Sequence, residues 1–275
     1  MSMDKFAVDD AGRVIKLQQA VNSTPQQPPH GRLLSSLVRW TAFFLVTIPI
    51  VLTAALSLLI PGIPGARIAH RLQLAWARII VVLFGIRLDV RGAERIVRGR
   101  PAIYFFNHQS FVDTMIVASV LRVQYRYLVK AELFDVPVLG WGMRRTGYIP
   151  VARGSGRDSL DSFFRAAERV RGGHSLVIFP EATFAEDGRM LPFKRGGFVI
   201  ASRAGVTVQP LTISGAYRVM PDQTEARVSR ITPGPVSVHV HDPIEAETYG
   251  DWTPDEFKER VREVIARPLR ADGIS

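Results

Sequence analysis

The part of this sequence with the clearest chemistry is a histidine and an aspartate five residues apart, His108 and Asp113. They follow an apolar run at residues 102–106, which predicts a buried strand. On one continuous helix, about 500° of rotation would put the two side chains on different faces. If a helix instead begins with Ser110 as its N-cap, the histidine stays in the preceding loop and the two groups can converge. They would then form a general base and the carboxylate that orients it.

Taken alone, this pair also fits a structural explanation, a strand-end histidine beside half of a capping box. Two further charged side chains strengthen the catalytic interpretation. Glu181 follows a predicted strand at residues 176–179, and Arg153 follows another at residues 148–151. Parallel strands collect their carboxyl ends at one edge, where open α/β sheets bind ligands. We therefore expect Arg153 and Glu181 to share one crevice with the histidine–aspartate pair.

The elements that must position these residues alternate between strand and helix beyond Gly85. The predicted strands are residues 87–91, 102–106, 125–129, 148–151, 176–179, 207–213 and 236–240. The predicted helices are residues 110–120, 136–145, 159–171, 196–204 and 254–267. Near-continuous apolar strands with intervening helices are typical of an α/β fold. The expected fold is a mixed, largely parallel sheet flanked by helices, preceded by a membrane-embedded two-helix segment.

The membrane prediction depends on residues 40–60, which carry no charge and are long enough to cross a bilayer core of roughly 20 helical residues. Pro49 could kink this helix. A second, amphipathic helix is predicted at residues 66–84. The pair could be a spanning helix followed by an interfacial one, or a kinked hairpin that enters one leaflet. The remaining alternative is a buried core helix of a soluble protein.

Basic residues flank both ends of the apolar run, so their distribution does not decide its orientation. The sequence contains no cysteine, which excludes disulfides, thiolate metal sites and cysteine nucleophiles. We therefore favour attachment to one leaflet of the cell membrane, with the following domain on the cytoplasmic face. The predicted organisation is a polar, flexible segment at residues 1–31, a membrane-associated helical segment at residues 32–85 and an α/β domain at residues 86–275.

The net charge of +10 and the pI of about 10.5 favour anionic partners. The basic residues are scattered, and no aromatic-basic platform or helix-turn-helix pattern supports nucleic-acid binding. Anionic lipid headgroups and acidic carrier proteins explain the charge better. His239 and His241 alternate on one strand face, but no third ligand is evident, so we predict no metal site.

The order of these segments resembles the glycerolipid acyltransferases of the lysophosphatidic acid acyltransferase type. The matching positions are Asn107, His108 and Asp113; Gly147, Ile149 and Arg153; Phe179, Pro180, Glu181 and Thr183; Pro192, Phe193, Lys194 and Gly196; and a hydrophobic block at residues 206–213 with Pro210. The resemblance covers roughly residues 40–245. Two positions depart from the family pattern: Ala182 replaces a glycine, which should cost only some loop freedom, and Phe184 replaces an arginine.

This resemblance implies transfer of a fatty acyl group from an acyl thioester to the free hydroxyl of 1-acyl-sn-glycerol-3-phosphate, giving phosphatidic acid. His108 would be the general base and Asp113 its orienting acid, without an acyl-enzyme, a cofactor or a metal ion. The donor could be a thioester of acyl carrier protein or of coenzyme A. The predicted substrate-binding residues are Asn107, Lys130, Arg153, Glu181, Thr183 and Lys194.

The phenylalanine at position 184 leaves the acceptor open. In the family, the arginine expected there would grip the acceptor phosphate, which suits its planar, bidentate guanidinium. Either Arg153, Lys130, Arg189 or Lys194 takes over this task, or the acceptor is another lysolipid or membrane-bound molecule. A further alternative is an inactive lipid-binding protein of the same fold, although the intact histidine–aspartate pair disfavours it.

Overall fold

The computed structural model describes residues 6–8, 14–16, 31–152, 157–185, 187–221 and 230–274 of the 275-residue chain. Most of the polar segment predicted at residues 1–31 lies outside this part, as does Arg153. Near the N-terminus the described residues form two short antiparallel strands, β1 (Phe6–Val8) and β2 (Val14–Lys16).

Within the described residues, a seven-stranded sheet forms the centre of the protein. Its strands are β3 (Ile86–Arg91), β4 (Ala102–Phe106), β5 (Tyr125–Lys130), β6 (Ile149–Val151), β7 (Ser175–Ile178), β8 (Thr207–Ser214) and β9 (Gly234–Val240). They lie in the order β3-β9-β8-β4-β7-β5-β6. Each neighbouring pair is parallel except β8 and β9, which are antiparallel. The predicted mixed, largely parallel sheet is confirmed.

Helices cover both faces of this sheet. They are α1 (Gly31–Leu59), α2 (Gly65–Leu83), α3 (Asp113–Leu121), α4 (Pro137–Thr146), α5 (Arg157–Arg171), α6 (Gly196–Ala204), α7 (Ala216–Val219), α8 (Ala246–Tyr249) and α9 (Pro254–Ala271), with 3-10 turns at Ala93–Arg95 and Ala131–Asp135. On one face, α2 and α3 pack over residues such as Tyr104 and Phe106 of β4. On the other, α6 and α9 enclose Phe105, whose ring stacks on Phe198 at 4.6 Å. Strand β4 is buried along its whole length, so packing on both faces fixes the position where the following loop begins.

The two N-terminal helices pack against each other and share a core with the sheet. Phe43 of α1 and Ile80 of α2 both belong to the buried cluster on the α3 side. The Trp76 indole N–H donates to Thr47 Oγ1 at 2.9 Å and ties the helices together. By length and composition, Leu34–Leu59 could cross a membrane, and only 11% of its most apolar stretch is buried. This exposure disfavours the alternative of a soluble core helix.

Two predicted helix boundaries are wrong. Ser110 is not an N-cap, because α3 begins only at Asp113. The N-cap residue is Val112, and no side chain caps the helix. At the other end of the chain, α9 continues past Pro268 although a helix was expected to stop before it. Burial of Leu269 holds this last turn, and the Ile274 N–H donates to the Leu269 carbonyl at 2.8 Å.

Candidate active site

The loop after β4 is fastened to β8 by the side chain of Asn107. Its Nδ2 donates to the Ile213 carbonyl at 2.9 Å, and its Oδ1 accepts from the Ile213 N–H at 2.7 Å. The amide therefore continues the hydrogen bonding between the two strands by one further residue. Asn107 has no exposed surface. This placement favours a positioning role over the direct substrate contact that we predicted.

His108 and Asp113 converge as the sequence predicts, although not through a cap at Ser110. His108 Nδ1 lies 2.8 Å from Asp113 Oδ2. The same oxygen accepts from the backbone N–H groups of Gln109 at 2.6 Å and Ser110 at 2.8 Å. Asp113 is fully buried, whereas 17% of the His108 side chain is exposed. With Nδ1 directed at Asp113, Nε2 is the ring nitrogen left for a substrate proton.

Gln109 is a buried residue of this loop that sequence reasoning missed. Its Nε2 donates to the Gly188 carbonyl at 2.9 Å. Its Oε1 accepts from the N–H groups of Gly215 at 3.0 Å and Ala216 at 3.2 Å, where β8 meets α7. A fully buried side-chain amide must find such partners, because an unpaired one is costly. Its position inside the Asn-His-x4-Asp spacing was the only signal in the sequence.

Glu181 joins the histidine loop to the loop that follows β7. Its Oε1 accepts from the His108 backbone N–H at 2.7 Å, and its Oε2 accepts from the Leu191 N–H at 2.5 Å. Burial raises the pKa of Glu181 to about 8, and these two hydrogen bonds oppose that shift. Both carboxyl oxygens of Glu181 accept from backbone N–H groups, so this side chain sets the geometry of both loops.

Ala182 has a φ of 61°, in the left-handed region. A side chain bearing a Cβ pays about 1–2 kcal/mol there, whereas glycine adopts this conformation freely. The expectation that alanine costs only loop freedom is therefore wrong. The glycine of the family pattern suits this left-handed backbone conformation, whereas Ala182 adopts it at a cost in strain.

Two aromatic rings pack against the candidate base. Phe179 stacks on the His108 ring with centroids 4.3 Å apart, and Phe184 meets it edge-on at 4.9 Å. Position 184, where the family pattern has an arginine, thus contributes an apolar wall to the imidazole. No local sequence pattern predicts this contact, because it depends on how the loop after Glu181 folds back.

The predicted substrate-binding cations lie around this loop. Lys194 is exposed, and its backbone N–H donates to the Pro180 carbonyl at 2.6 Å, which places it beside the Glu181 turn. Lys130 is exposed at the carboxyl end of β5. Within the described ranges, neither lysine forms an ion pair. Arg189 is paired with Asp187 at 2.6 Å.

The remaining hydroxyl and imidazole groups offer little other chemistry. Thr183 is exposed directly after the Glu181 turn, whereas Ser110 is buried and its Oγ accepts from the Val112 N–H at 3.4 Å. His241 contacts Thr212 Oγ1 at 2.8 Å, and burial lowers its pKa to about 4. No cluster of three or more metal-ligating side chains occurs in the part of the chain that the structure describes. The arrangement suits proton abstraction by His108.

Comparisons with known proteins identify the family of the chain. The acyltransferase family model matches residues 87–214, which include His108, Asp113 and Glu181. The chain is 32% identical to 1-acyl-sn-glycerol-3-phosphate acyltransferase BAT2, chloroplastic, of Brassica napus, over 94% of this chain and 78% of that protein. It is 31% identical to 1-acyl-sn-glycerol-3-phosphate acyltransferase alpha of Homo sapiens, over 70% of this chain and 69% of that protein.

A solved structure has the same fold. The crystal structure of the 1-acyl-sn-glycerophosphate acyltransferase PlsC from Thermotoga maritima superimposes with a TM-score of 0.71. The match covers 87% of this chain and 96% of that one, at 23% sequence identity. The sheet and its flanking helices are therefore an architecture already seen in a solved acyltransferase.

Proposed function

Because the chain belongs to the acyltransferase family, we propose that it acylates the free hydroxyl of 1-acyl-sn-glycerol-3-phosphate to give phosphatidic acid. The donor is a fatty acyl thioester of acyl carrier protein or coenzyme A. The observation that carries this proposal is the 2.8 Å contact between His108 Nδ1 and buried Asp113. The names of the relatives support the choice of acceptor.

In the proposed reaction, His108 Nε2 takes the proton of the acceptor hydroxyl as its oxygen attacks the thioester carbonyl carbon. The new C–O bond forms in a tetrahedral intermediate, and backbone N–H groups near the strand ends stabilise its oxyanion. The C–S bond then breaks, and the departing sulfur receives the proton from the imidazolium. Asp113 fixes the tautomer and faces the positive ring. No enzyme nucleophile, cofactor or metal ion takes part.

Phe184 carries no charge, so other side chains must supply the cation that binds the acceptor phosphate. We assign this task to Lys194 and Lys130 together with Arg153. Lys194 lies beside the Glu181 turn, and Lys130 lies at the carboxyl end of β5. Both are exposed and form no ion pair with described residues. Thr183, also exposed, would donate a hydrogen bond to the acceptor.

Phe184 itself favours a second candidate, acylation of a different lysolipid or membrane-bound acceptor. The ring lies 4.9 Å from His108 and makes that side of the base apolar. An acceptor with an uncharged group next to its reacting hydroxyl could pack against the Phe184 ring. It would avoid the cost of removing a charged group from water. An inactive lipid-binding protein is disfavoured, because the base and its orienting acid are both in place.

We place the reaction at the cell membrane, with the α/β domain on the cytoplasmic face. Support comes from α1, whose exposed apolar residues suit a lipid environment, and from the acceptor, which is itself a membrane lipid. A cytoplasmic orientation would give the site access to carrier-protein or coenzyme A thioesters.

The test is an acceptor panel. Purified protein in lipid vesicles receives one labelled acyl thioester and, separately, 1-acyl-sn-glycerol-3-phosphate and lysolipids with other headgroups. We expect phosphatidic acid and free thiol in equal amounts. Faster acylation of another lysolipid would replace the first candidate by the second. Thiol release without any acylated lipid, or no release at all, would refute acyl transfer.

A further inference from the structure

A second group of exposed apolar side chains lies away from α1, in the 3-10 turn Ala131–Asp135 and the first turn of α4. We call it the 133–139 patch, and it consists of Leu133, Val136, Val138 and Leu139. Val138 is 81% exposed, the largest exposed fraction in this group. Contiguous apolar surface of this kind marks a site of contact with lipid or protein.

These side chains are held outward by a rigid turn. Phe134, between Leu133 and Val136, is buried and anchors it. Its carbonyl accepts from Arg144 Nη1 at 2.8 Å. Gly140 lies so close below that an added Cβ would come within 1.9 Å of the Phe134 oxygen. The exposure of the patch therefore follows from the packing of the turn.

The patch lies at the sheet edge that carries the candidate site. It begins shortly after Lys130, at the carboxyl end of β5. Phe111, 48% exposed, lies between His108 and Asp113 after the carboxyl end of β4. Since β4 and β5 run parallel on either side of β7, both apolar features belong to one edge.

The packing of α4 against α1 and the distribution of charge indicate what covers the 133–139 patch. Helix α4, whose first turn carries part of the patch, packs against both α1 and α2, and α1 has many exposed apolar side chains of its own. Residues 31–88 contain no Asp or Glu. The exposed arginines of α2 and α4 form no ion pair with described residues, and they are Arg67, Arg71, Arg78, Arg144 and Arg145. An apolar surface accompanied by exposed arginines that form no ion pair fits a bilayer with anionic headgroups.

We propose that the 133–139 patch and Phe111 lie in the interfacial layer of the membrane that α1 enters. Glu132 precedes the patch, Asp135 lies within it, and both are exposed. They set a shallow depth at which both carboxylates stay at headgroup level. The acceptor then reaches His108 from the lipid without crossing water. This route for the acceptor rests on the proposed function, whereas the lipid contact does not require catalysis.

The absence of cysteine from the chain makes a direct test possible, because single thiols can be labelled without competing sites. Val138→Cys reports on the patch, and Val51→Cys on the exposed surface of α1. Leu160→Cys is the matched control, since Leu160 is an exposed leucine on α5, which packs against α6 on the other face of the sheet. Each thiol carries an environment-sensitive fluorophore, and the vesicles contain phosphatidylcholine, phosphatidylglycerol and a lipid-attached quencher.

We expect a blue shift and at least twofold lipid quenching at positions 138 and 51, and neither at position 160. A label at position 138 that stays accessible to aqueous iodide and escapes lipid quenching would overturn the proposal. So would a label that is shielded without vesicles, since this would indicate a second copy of the chain or a protein partner. Acyl transfer is measured separately on the unlabelled protein, so absence of transfer with lipid quenching intact would refute the proposed function but not the lipid contact.

Discussion

Glu181 holds the backbone of His108, not its ring: Glu181 Oε1 accepts the His108 N–H at 2.7 Å while Asp113 takes the imidazole. The two carboxyl groups of the site therefore divide the work. One orients the base, and the other positions the loop that carries it. Because Glu181 also accepts from Leu191, a change at this residue should disturb both loops at once.

Replacing the candidate base should abolish transfer. We expect His108→Ala to lower kcat by at least ~10²-fold, the usual contribution of a general base. Thermal unfolding and vesicle association should stay at wild-type values. His174→Ala is the control, because His174 is half-buried just before β7 and its Nδ1 contacts the Arg169 carbonyl at 3.1 Å. Near-normal activity of the first variant would rule out this base.

The raised pKa of Glu181 predicts a pH-dependent difference in stability. The folded protein holds this proton up to about pH 8, whereas the unfolded chain releases it near pH 4.5. Stability from this group is thus fully present below about pH 4.5 and is lost as the pH rises to 8. Glu181→Gln cannot titrate, and it leaves one backbone N–H poorly paired, at a cost of about 1–3 kcal/mol.

The measurement is the difference in unfolding free energy between wild type and Glu181→Gln at pH 5, 6.5 and 8. We expect the wild-type advantage to shrink with rising pH. Glu168→Gln serves as the control, since its carboxylate is exposed and pairs with Arg171 at the surface. A difference that grows with pH would contradict the assignment.

Relieving the strain at Ala182 should stabilise the protein. At a φ of 61°, Ala182→Gly removes about 1–2 kcal/mol of strain and adds less than that in unfolded-state entropy. We expect a net gain of about 1 kcal/mol in the unfolding free energy. Ala185→Gly, in the same loop without a positive φ, should be neutral or destabilising. Equal effects of the two glycines would show that strain is not the cause.

The Phe184 ring should govern the choice of acceptor. Phe184→Arg adds a guanidinium where the family pattern has one, and a charge-assisted hydrogen bond contributes about 1.5–3 kcal/mol. We expect the ratio of kcat/KM for 1-acyl-sn-glycerol-3-phosphate over an uncharged lysolipid to rise about tenfold or more. Phe184→Leu keeps an apolar side chain and should leave the ratio unchanged. A constant ratio in both variants would exclude this position from acceptor selection.

Loss of the proposed phosphate cations should affect the acceptor and spare the donor. Lys194→Ala is expected to raise the acceptor KM about tenfold, with the thioester KM within twofold of wild type. Lys258→Ala is the matched control, because Lys258 pairs with Asp255 on α9 at 3.3 Å. An increase in the thioester KM alone would assign Lys194 to the donor.

Sequence patterns located most elements of this fold because each depends on short apolar runs. Strand β4 and helix α6 match their predicted limits, and the other strands of the seven-stranded sheet differ by one or two residues. Strands β1 and β2 were not predicted, because their segment was interpreted as flexible. Helix α3 was misplaced by three residues at its start, because Asp113 serves the loop before it rather than a cap. The acyltransferase family predicted from the motifs is confirmed.

By itself, the sequence determined which groups could react: the spacing of His108 and Asp113 and the segment ending in Glu181 were legible because their motifs are local. Only the tertiary structure decided what those groups touch. Asn107 meets Ile213 across 106 residues of chain, and Glu181 meets His108 across 73. Such bonds form only when distant strands are brought side by side, so no local pattern encodes them.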